Sequence, residues 1–482
     1  SGDLHGDAAA RSHERKGREI YPLLAHRDLS QWLDKSQGSM PECKTMARVY
    51  PFRAWRYNPE KVGDLAAVLT QPYDKITPTM QEQYYARSPY NFVRVILGKT
   101  FPEDTEAQNV YTRARQELRR WMREGVLVAD RAPAIYIYFQ TYRVPPDGPV
   151  KTRKGFLALG QLEDFERRVI FPHERTLRGP KEDRLRLLRA TRAHLEPIFM
   201  LYDDPAFEIQ AILEQCASGP PEVHVVDEYG VEHRLWALSV PEAIEAIQQM
   251  MAPRQLVIAD GHHRYETALA YRDERRAEAG RVEERAPYER MLMAFFNLRD
   301  EGITILPTHR LIVGMDVFDA ERFRDFVARY FDVTSVPLGD FSAQALTHIR
   351  ARLAEEGQRR MTFGLMVVGD SVFRLLALRE TEEAERMLEG MTPLERMLDT
   401  AVLHRVLIER GLRLGEEAIQ SERHIIYVRE FEEGARAVRE GRAQVGFFLN
   451  PTRVEQVYAM ALSGRLLPQK STDFYPKLLS GL

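Results

Sequence analysis

The chain has 482 residues, 44% of them hydrophobic and 10% aromatic, and carries a formal net charge of −3. That length suits two or three domains with real cores, and the near-neutral charge argues against a general nucleic-acid coat. Cys43 and Cys216 fit no metal or disulfide framework, a reducing cytoplasm is the simplest home, and the absence of a long apolar run leaves no expected membrane span.

Residues 1–45 are polar, mix both signs of charge and lack a signal-peptide core. Gly38-Ser39-Met40 resembles a cloning junction, so the stretch is read as an extension or tag in which 20–33 can form a docked helix. A first strand and turn follow over 46–58, then a turn at Pro72-Tyr73-Asp74. A helix begins at Thr77-Pro78, a strand is predicted over 91–97 and a long amphipathic helix over 105–124. The tyrosine-rich strand 134–142 and the strand 152–162 form a hairpin. The polar loop Phe171 to Thr176 precedes a basic helix over 181–193, and 198–202 is a short strand. Residues 223–226 and 232–238 pair across Tyr229-Gly230, and a helix covers 241–251. An apolar strand, 256–259, runs into Asp260-Gly261, and the amphipathic helix after it stops at Gly280. A strand is expected over 288–297 and a loop over 306–310. From about 315 come a helix (320–330), two strands (361–368 and 371–378), one amphipathic helix (393–411), a strand (443–449), a helix (454–464) and a loop-like C-terminal segment. Strands and helices mix without strict alternation, which predicts an α+β or mixed α/β fold. The expected division is an extension (1–45), a nucleotide-binding domain (46–314) and a C-terminal αβ domain (315–482).

The most informative stretch is Asp260-Gly261-His262-His263-Arg264. A strand, a glycine turn and a helix start offer free backbone N–H groups and the positive end of a helix to an anion, and Arg264 can fork onto phosphate oxygens. Other signals are weaker. Gly98-Lys99-Thr100 is no P-loop, because Val93 stands where its first glycine belongs. No Rossmann glycine fingerprint follows a strand, and His173-Glu174 lacks the second histidine of a zinc-protease helix. Adjacent histidines on a helix point about 100° apart and rarely reach one ion. Asp74 either caps the next helix or serves as a general base, and Glu174 is the second candidate base. Lys181 and Arg184 lie on one helix face and can help an anionic ligand, although such faces are commonly solvated surface. Lys470-Ser471-Thr472 has phosphate-friendly chemistry within a segment that can equally be packing.

These residues resemble a known turn. The Asp-Gly-His-His-Arg run is similar to the nucleotide-phosphate turn of the ParB/sulfiredoxin-like fold in the form carried by free-serine kinases. The wider chain, over about 46–482, resembles the microbial family catalogued as domain of unknown function 1015. The matching pieces include Pro72-Tyr73-Asp74, Pro172 to Thr176, Lys181 with Asp183-Arg184-Leu185, Glu196 to Phe199, Leu306 to Arg310, Pro468 to Thr472 and Phe474 to Lys477. The resemblance implies a ParB/sulfiredoxin-like core in which Gly261, His262, His263 and Arg264 take nucleotide phosphates. His262 and His263 stand where sulfiredoxin carries its cysteine, which argues against sulfinate repair.

The expected function is therefore a kinase that uses ATP or ADP with Mg²⁺ on a small hydroxyl compound, free L-serine being the first candidate. Asp74 or Glu174 would be the base, Asp260 and His262 further catalytic candidates, and Arg264, Arg175 or Lys470 would offset charge on the moving phosphoryl group. Arg264→Ala should weaken nucleotide binding by about 1.5–3 kcal/mol with little loss of stability. The alternatives are a nucleotide-hydrolysing switch of the ParB kind and a metal-dependent hydrolase built on Asp260, His262 and His263. No nucleic acid or membrane is an expected partner.

Overall fold

The computed structural model describes residues 47–174, 178–415, 423–468 and 470–482. The extension at 1–45 and Arg175 lie outside the described residues. The fold is mixed α/β, with one large and one smaller mixed or antiparallel sheet, each packed by helices on both faces.

The large sheet has nine strands. In spatial order they run Ile170–Phe171, Leu256–Asp260, Ile198–Tyr202, Arg290–Asn297, Val150–Gln161, Ile135–Arg143, Glu232–Leu238 and Val223–Val226, with Val49–Tyr50 paired to Val150–Gln161. Leu256–Asp260 is parallel to Ile170–Phe171 and antiparallel to Ile198–Tyr202. Its register slips between Ile258, opposite Met200, and Asp260, opposite Phe199. Such a bulge re-aims the strand end, and here it lies one residue before the glycine turn. Side-chain alternation divides the core. Leu256, Ile258, Ile198 and Met200 face the helices Glu208–Cys216, Pro241–Met251 and His262–Ala279. Val257, Ala259, Phe199 and Leu201 face the opposite layer, which includes Trp121, Leu187, Tyr458 and the tail residues Phe474 and Leu478.

The six-stranded sheet runs Phe331–Pro337, Val372–Leu378, Thr362–Val367, Val445–Phe448, His309–Ile312 and Ile425–Val428, antiparallel throughout. Its strand His309–Ile312 comes from the N-terminal side of residue 315. The short strand just before it, Thr304–Leu306, pairs with Asp473–Tyr475 from the tail. The tail thus runs back over the large sheet after the smaller sheet is complete.

Three expectations are corrected. Residues 91–97 form a one-turn helix, Val93–Ile96, rather than a strand. Asn91 accepts from the Val93 N–H at 3.0 Å and donates to the Ala67 carbonyl at 2.8 Å, and an apolar run buried on every side carries no period to distinguish the two states. Residues 306–310 contain strand rather than loop, because the partners of Thr304–Leu306 and His309–Ile312 lie more than a hundred residues away. The single helix expected over 393–411 is broken into Pro393–Arg396, Asp399–Val402 and a wide-wound stretch Leu403–Gly411. Leu398 is buried in the large sheet's core while Leu403 and Leu407 are buried in the smaller sheet's core, so one straight helix cannot serve both.

Candidate functional site

The turn that joins Leu256–Asp260 to the helix His262–Ala279 is built around Gly261. Its φ is +95°, a conformation that costs glycine little and other residues much. A Cβ there would stand 2.9 Å from Ile198 Cδ1 and 3.0 Å from Arg264 Nη2. Gly261 caps the helix with no side-chain hydrogen bond, so no side chain of the cap covers the first-turn N–H groups.

Two different environments flank this turn. On one side the His262 and His173 rings meet edge to face at 4.6 Å. The His173 N–H donates to His262 Nε2 at 3.3 Å. His173 bonds the Ile258 carbonyl through Nδ1 (2.6 Å) and Thr472 Oγ1 through Nε2 (2.8 Å). Burial pushes His173 down to about 4, and burial together with the neighbouring His173 holds His262 well below its ordinary value. Both rings are neutral at neutral pH, and both are sealed in. His262, expected as a catalytic residue, is held here as a packed acceptor.

The other side is ionic. Lys477 Nζ lies 3.2 Å from Asp260 Oδ1 and 3.3 Å from Asp473 Oδ1. Arg264 Nη2 lies 3.2 Å from Asp260 Oδ2, and its Nη1 donates to the Pro197 carbonyl at 2.7 Å. Arg429, just after the smaller sheet's strand Ile425–Val428, reaches Asp473 at 2.5 Å, and Lys75 lies 3.9 Å from the same carboxylate. Burial alone would raise the Asp260 carboxyl, but Lys477, Arg264 and Lys75 outweigh it and hold the group well below the usual carboxylate range. For Lys477 burial works downward, and Asp260 and Asp473 more than reverse it. Lys75 is lowered, first by burial and then by Lys477. Such alternation of charge favours the ionised forms of Asp260 and Lys477.

The remaining expected residues are placed as follows. Asp74 is exposed, within the helical turn Tyr73–Lys75. It does not cap the next helix, because Thr77 accepts from the Met80 N–H instead. Glu174 bridges to Leu467, accepts from the Lys470 N–H at 3.4 Å and is pushed up by burial, with Lys470 opposing. His263 is half-buried on the first helical turn and is lowered by burial, with Glu266 and Glu174 opposing. Lys181 is paired with Glu266. Arg184 turns inward, donating to the Ile96 carbonyl at 2.8 Å and lying 4.1 Å over the Tyr73 ring. Ser471 is buried and bonds the Pro468 carbonyl at 2.5 Å. The Thr472 hydroxyl is taken by His173, and Lys470 is exposed. Thus Asp74, Glu174, Asp260, His263, Arg264 and Lys470 gather around the turn, while Arg184 and Ser471 face inward.

Arg264 is nearly buried, with 10% of its side chain exposed. It lines a small cavity of about 50 Å³ with Arg184, His194, Glu196 and Thr267. Because it anchors Pro197 as well as Asp260, removing it will cost stability, contrary to the expectation from sequence. A larger cavity of about 360 Å³ lies at Arg56, Tyr57, Asp130 and Glu222, and none of the turn residues lines it. Among the described residues no group of three or more histidine, cysteine, aspartate or glutamate side chains is arranged to hold a metal ion, so Asp260, His262 and His263 are not brought together as a metal centre. No described helix is long and apolar enough to cross a membrane.

Sequence reasoning missed Lys477, Lys75, Asp473 and Arg429 as site members. Lys477 and Asp260 are 217 positions apart, and no local pattern links them. The one available signal is an aspartate and a lysine four residues apart, Asp473 and Lys477, in a short aromatic and proline-rich segment.

The architecture so described is a mixed α/β protein with an ionic cluster at a glycine-capped helix start. The chain belongs to the protein family of unknown function DUF1015, whose model matches residues 49–401. No curated protein matches it. Among solved structures it is similar to a free serine kinase in complex with AMP (13% identity, 64% of this chain and 83% of that one, TM-score 0.29). It is also similar to a conserved hypothetical protein from Pyrococcus furiosus (13%, 64% and 87%, 0.28) and to C-terminally truncated SbnI from Staphylococcus aureus (10%, 67% and 85%, 0.30).

Proposed function

We propose that this protein is a nucleotide-dependent small-molecule kinase. The nucleotide's phosphates rest on the turn Gly261 to Arg264, and a small hydroxyl compound, free L-serine first among the candidates, accepts the phosphoryl group. The observation that carries the reading is the glycine-capped helix start with three cationic side chains, Arg264, Lys477 and Lys75, gathered beside it. Backbone N–H groups, a helix's positive end and convergent cations are the parts that phosphoryl transfer needs, since its catalysis is mostly positioning and charge stabilisation.

In this reading the acceptor oxygen bonds phosphorus as the bond to the bridging oxygen breaks. The nucleotide leaves one phosphate shorter, and the hydroxyl proton passes to a carboxylate. Glu174 suits that role because burial makes it a stronger base than an exposed carboxylate. Magnesium would arrive on the phosphates, as it commonly does, rather than in a protein cage. In this reading Asp74, which is exposed, is the carboxylate that would approach it. The same reading takes 46–314 as a ParB/sulfiredoxin-like nucleotide-binding domain and 315–482 as an αβ unit that completes the site through Arg429 and the tail.

The test is direct. Purified protein is incubated with Mg²⁺, ATP or ADP, and L-serine or other small alcohols, and ³¹P NMR is used to look for a phosphate monoester. A new monoester supports the kinase. Nucleotide hydrolysis with every acceptor untouched would favour the switch reading instead.

A further inference from the structure

Arg153 lies in the middle of the large sheet and is fully buried, with 0% of its surface exposed. Burial draws its guanidinium down to about 10. No carboxylate forms an ion pair with it among the described residues. Its charge rests against the rings of Phe199 and Phe296, at 4.6 and 4.9 Å. Its N–H groups donate to Gln140 Oε1 (3.1 and 2.5 Å), to the Pro476 carbonyl (2.6 Å) and to the Tyr475 carbonyl (3.4 Å). Gln140 Nε2 in turn donates to the Lys477 carbonyl at 2.9 Å. Three successive tail carbonyls are therefore gripped from below by a buried cation and an amide. A buried arginine without a counter-ion is costly, and packing alone does not call for it, because apolar residues of similar volume fill such sites at less cost.

What the grip fixes is Lys477. Its carbonyl is held by Gln140, Arg153 holds the two carbonyls before it, and Thr304–Leu306 holds Asp473–Tyr475 by strand pairing. Its ammonium is thereby delivered to Asp260, the residue immediately before the glycine turn. Among the described tail residues no other side chain forms an ion pair with Asp260: Lys470 is exposed, and the Ser471 and Thr472 hydroxyls are engaged elsewhere.

We infer that Lys477 is the cation that meets the terminal phosphate of the nucleotide, and that Arg153 and Gln140 are positioning residues that set its place. The inference rests on the kinase reading for the ligand. Without nucleotide, Asp260 and Asp473 serve as counter-ions to Lys477. With nucleotide, a phosphate oxygen joins them at the same ammonium. No bond is made or broken by this contact. Lys477 offsets charge on the phosphoryl oxygens while the acceptor attacks.

The experiment is calorimetric titration of the full chain with AMP, ADP and ATP in Mg²⁺, with a thermal melt on each variant. Lys477→Met should weaken ADP or ATP roughly ten- to a hundredfold, the loss of one charge-assisted bond, and leave AMP nearly unchanged. Lys477→Arg should restore part of the discrimination. Gln140→Leu, which touches no ligand, should reproduce the loss for ADP over AMP in milder form while the protein remains folded at the titration temperature. Arg153→Lys should do the same, and Arg153→Met is the variant most at risk of not folding. If wild type binds nucleotides and Lys477→Met keeps the full preference for ADP over AMP, the assignment of Lys477 is wrong while the kinase reading stands. If Gln140→Leu and Arg153→Lys weaken AMP and ADP equally, or change only the melt, the positioning role is wrong. If wild type binds no nucleotide at all, the kinase reading itself fails and takes the role of Lys477 with it.

Discussion

The two flanks of the glycine turn are built from opposite chemistry. The His262–His173 flank is neutral, sealed and satisfied by backbone and hydroxyl partners. The Asp260–Arg264–Lys477 flank is charged, and Asp260 keeps 24% of its side chain exposed. Two adjacent motif histidines invite a metal or catalytic reading, yet His262 carries the neutral flank, and His263, on the next helical position, feels the charges of Glu266, Glu174, Lys181 and Asp74. A helix step of about 100° separates them. The motif thus combines a structural half, which holds the strand end against the loop at His173, with a half that presents charge.

The two flanks should fail in different pH windows, and acidification is expected to give the largest effect. A histidine lowered on folding is neutral in the folded state while the unfolded chain takes up a proton below about 6.5. Its contribution is fully present above that value and is lost as pH falls toward the folded value, about 4 for His173. The loss reaches roughly 3 kcal/mol for such a group, and His194, lowered to about 4, acts in the same window. Asp260 is depressed instead, so its contribution is present above about 3.9 and is lost only below that. Denaturant melts from pH 7 to 3 should therefore show stability falling first between about 6.5 and 4. In a His173→Gln variant that early loss should shrink. An unchanged profile would mean that the ring is not held neutral.

Next in size is Arg264→Ala. It should weaken nucleotide binding by about 1.5–3 kcal/mol and also lower folding stability by about 1–3 kcal/mol, because the Pro197 carbonyl and the buried part of Asp260 lose a partner. Calorimetry and a urea melt on the same sample separate the two losses. An unaltered melt would show that the Pro197 anchor contributes nothing.

Gly261→Ala should cost roughly 1–3 kcal/mol through its positive φ and the contacts with Ile198 and Arg264. It should disturb both flanks at once, so a variant that binds nucleotide normally would refute the turn as the phosphate seat.

The smallest effect is expected at the edge. Lys75, 36% exposed and 3.9 Å from its carboxylate, should change stability by less than about 1 kcal/mol when replaced by Met while still reducing nucleotide affinity. A larger stability loss than that of Arg264→Ala would reverse the ranking of the cluster.

How much of this was legible in the sequence follows from distance along the chain. The strand, the glycine turn and the helix to Gly280 are consecutive, and apolar period, glycine and cap mark them locally. The hairpin 223–238 and the helix 241–251 were readable for the same reason. The ionic flank was not, because Lys75, Asp260, Arg429, Asp473 and Lys477 come from four distant segments that only the folded sheets bring together. Arg184 illustrates the opposite error. Helical spacing placed it beside Lys181 on a basic face, but the Ile96 carbonyl and the Tyr73 ring draw it inward. Leu398 and Leu403 show why one long amphipathic pattern became three pieces, since they belong to two cores.

The measurement that bears most directly on the central claim is a crystal of the full chain soaked with ADP and Mg²⁺. The account predicts phosphate density at the N-terminal end of the helix His262–Ala279, within reach of Arg264 and Lys477. Nucleotide seated instead in the cavity at Arg56 and Glu222, or a turn left empty at saturating ADP, would contradict it.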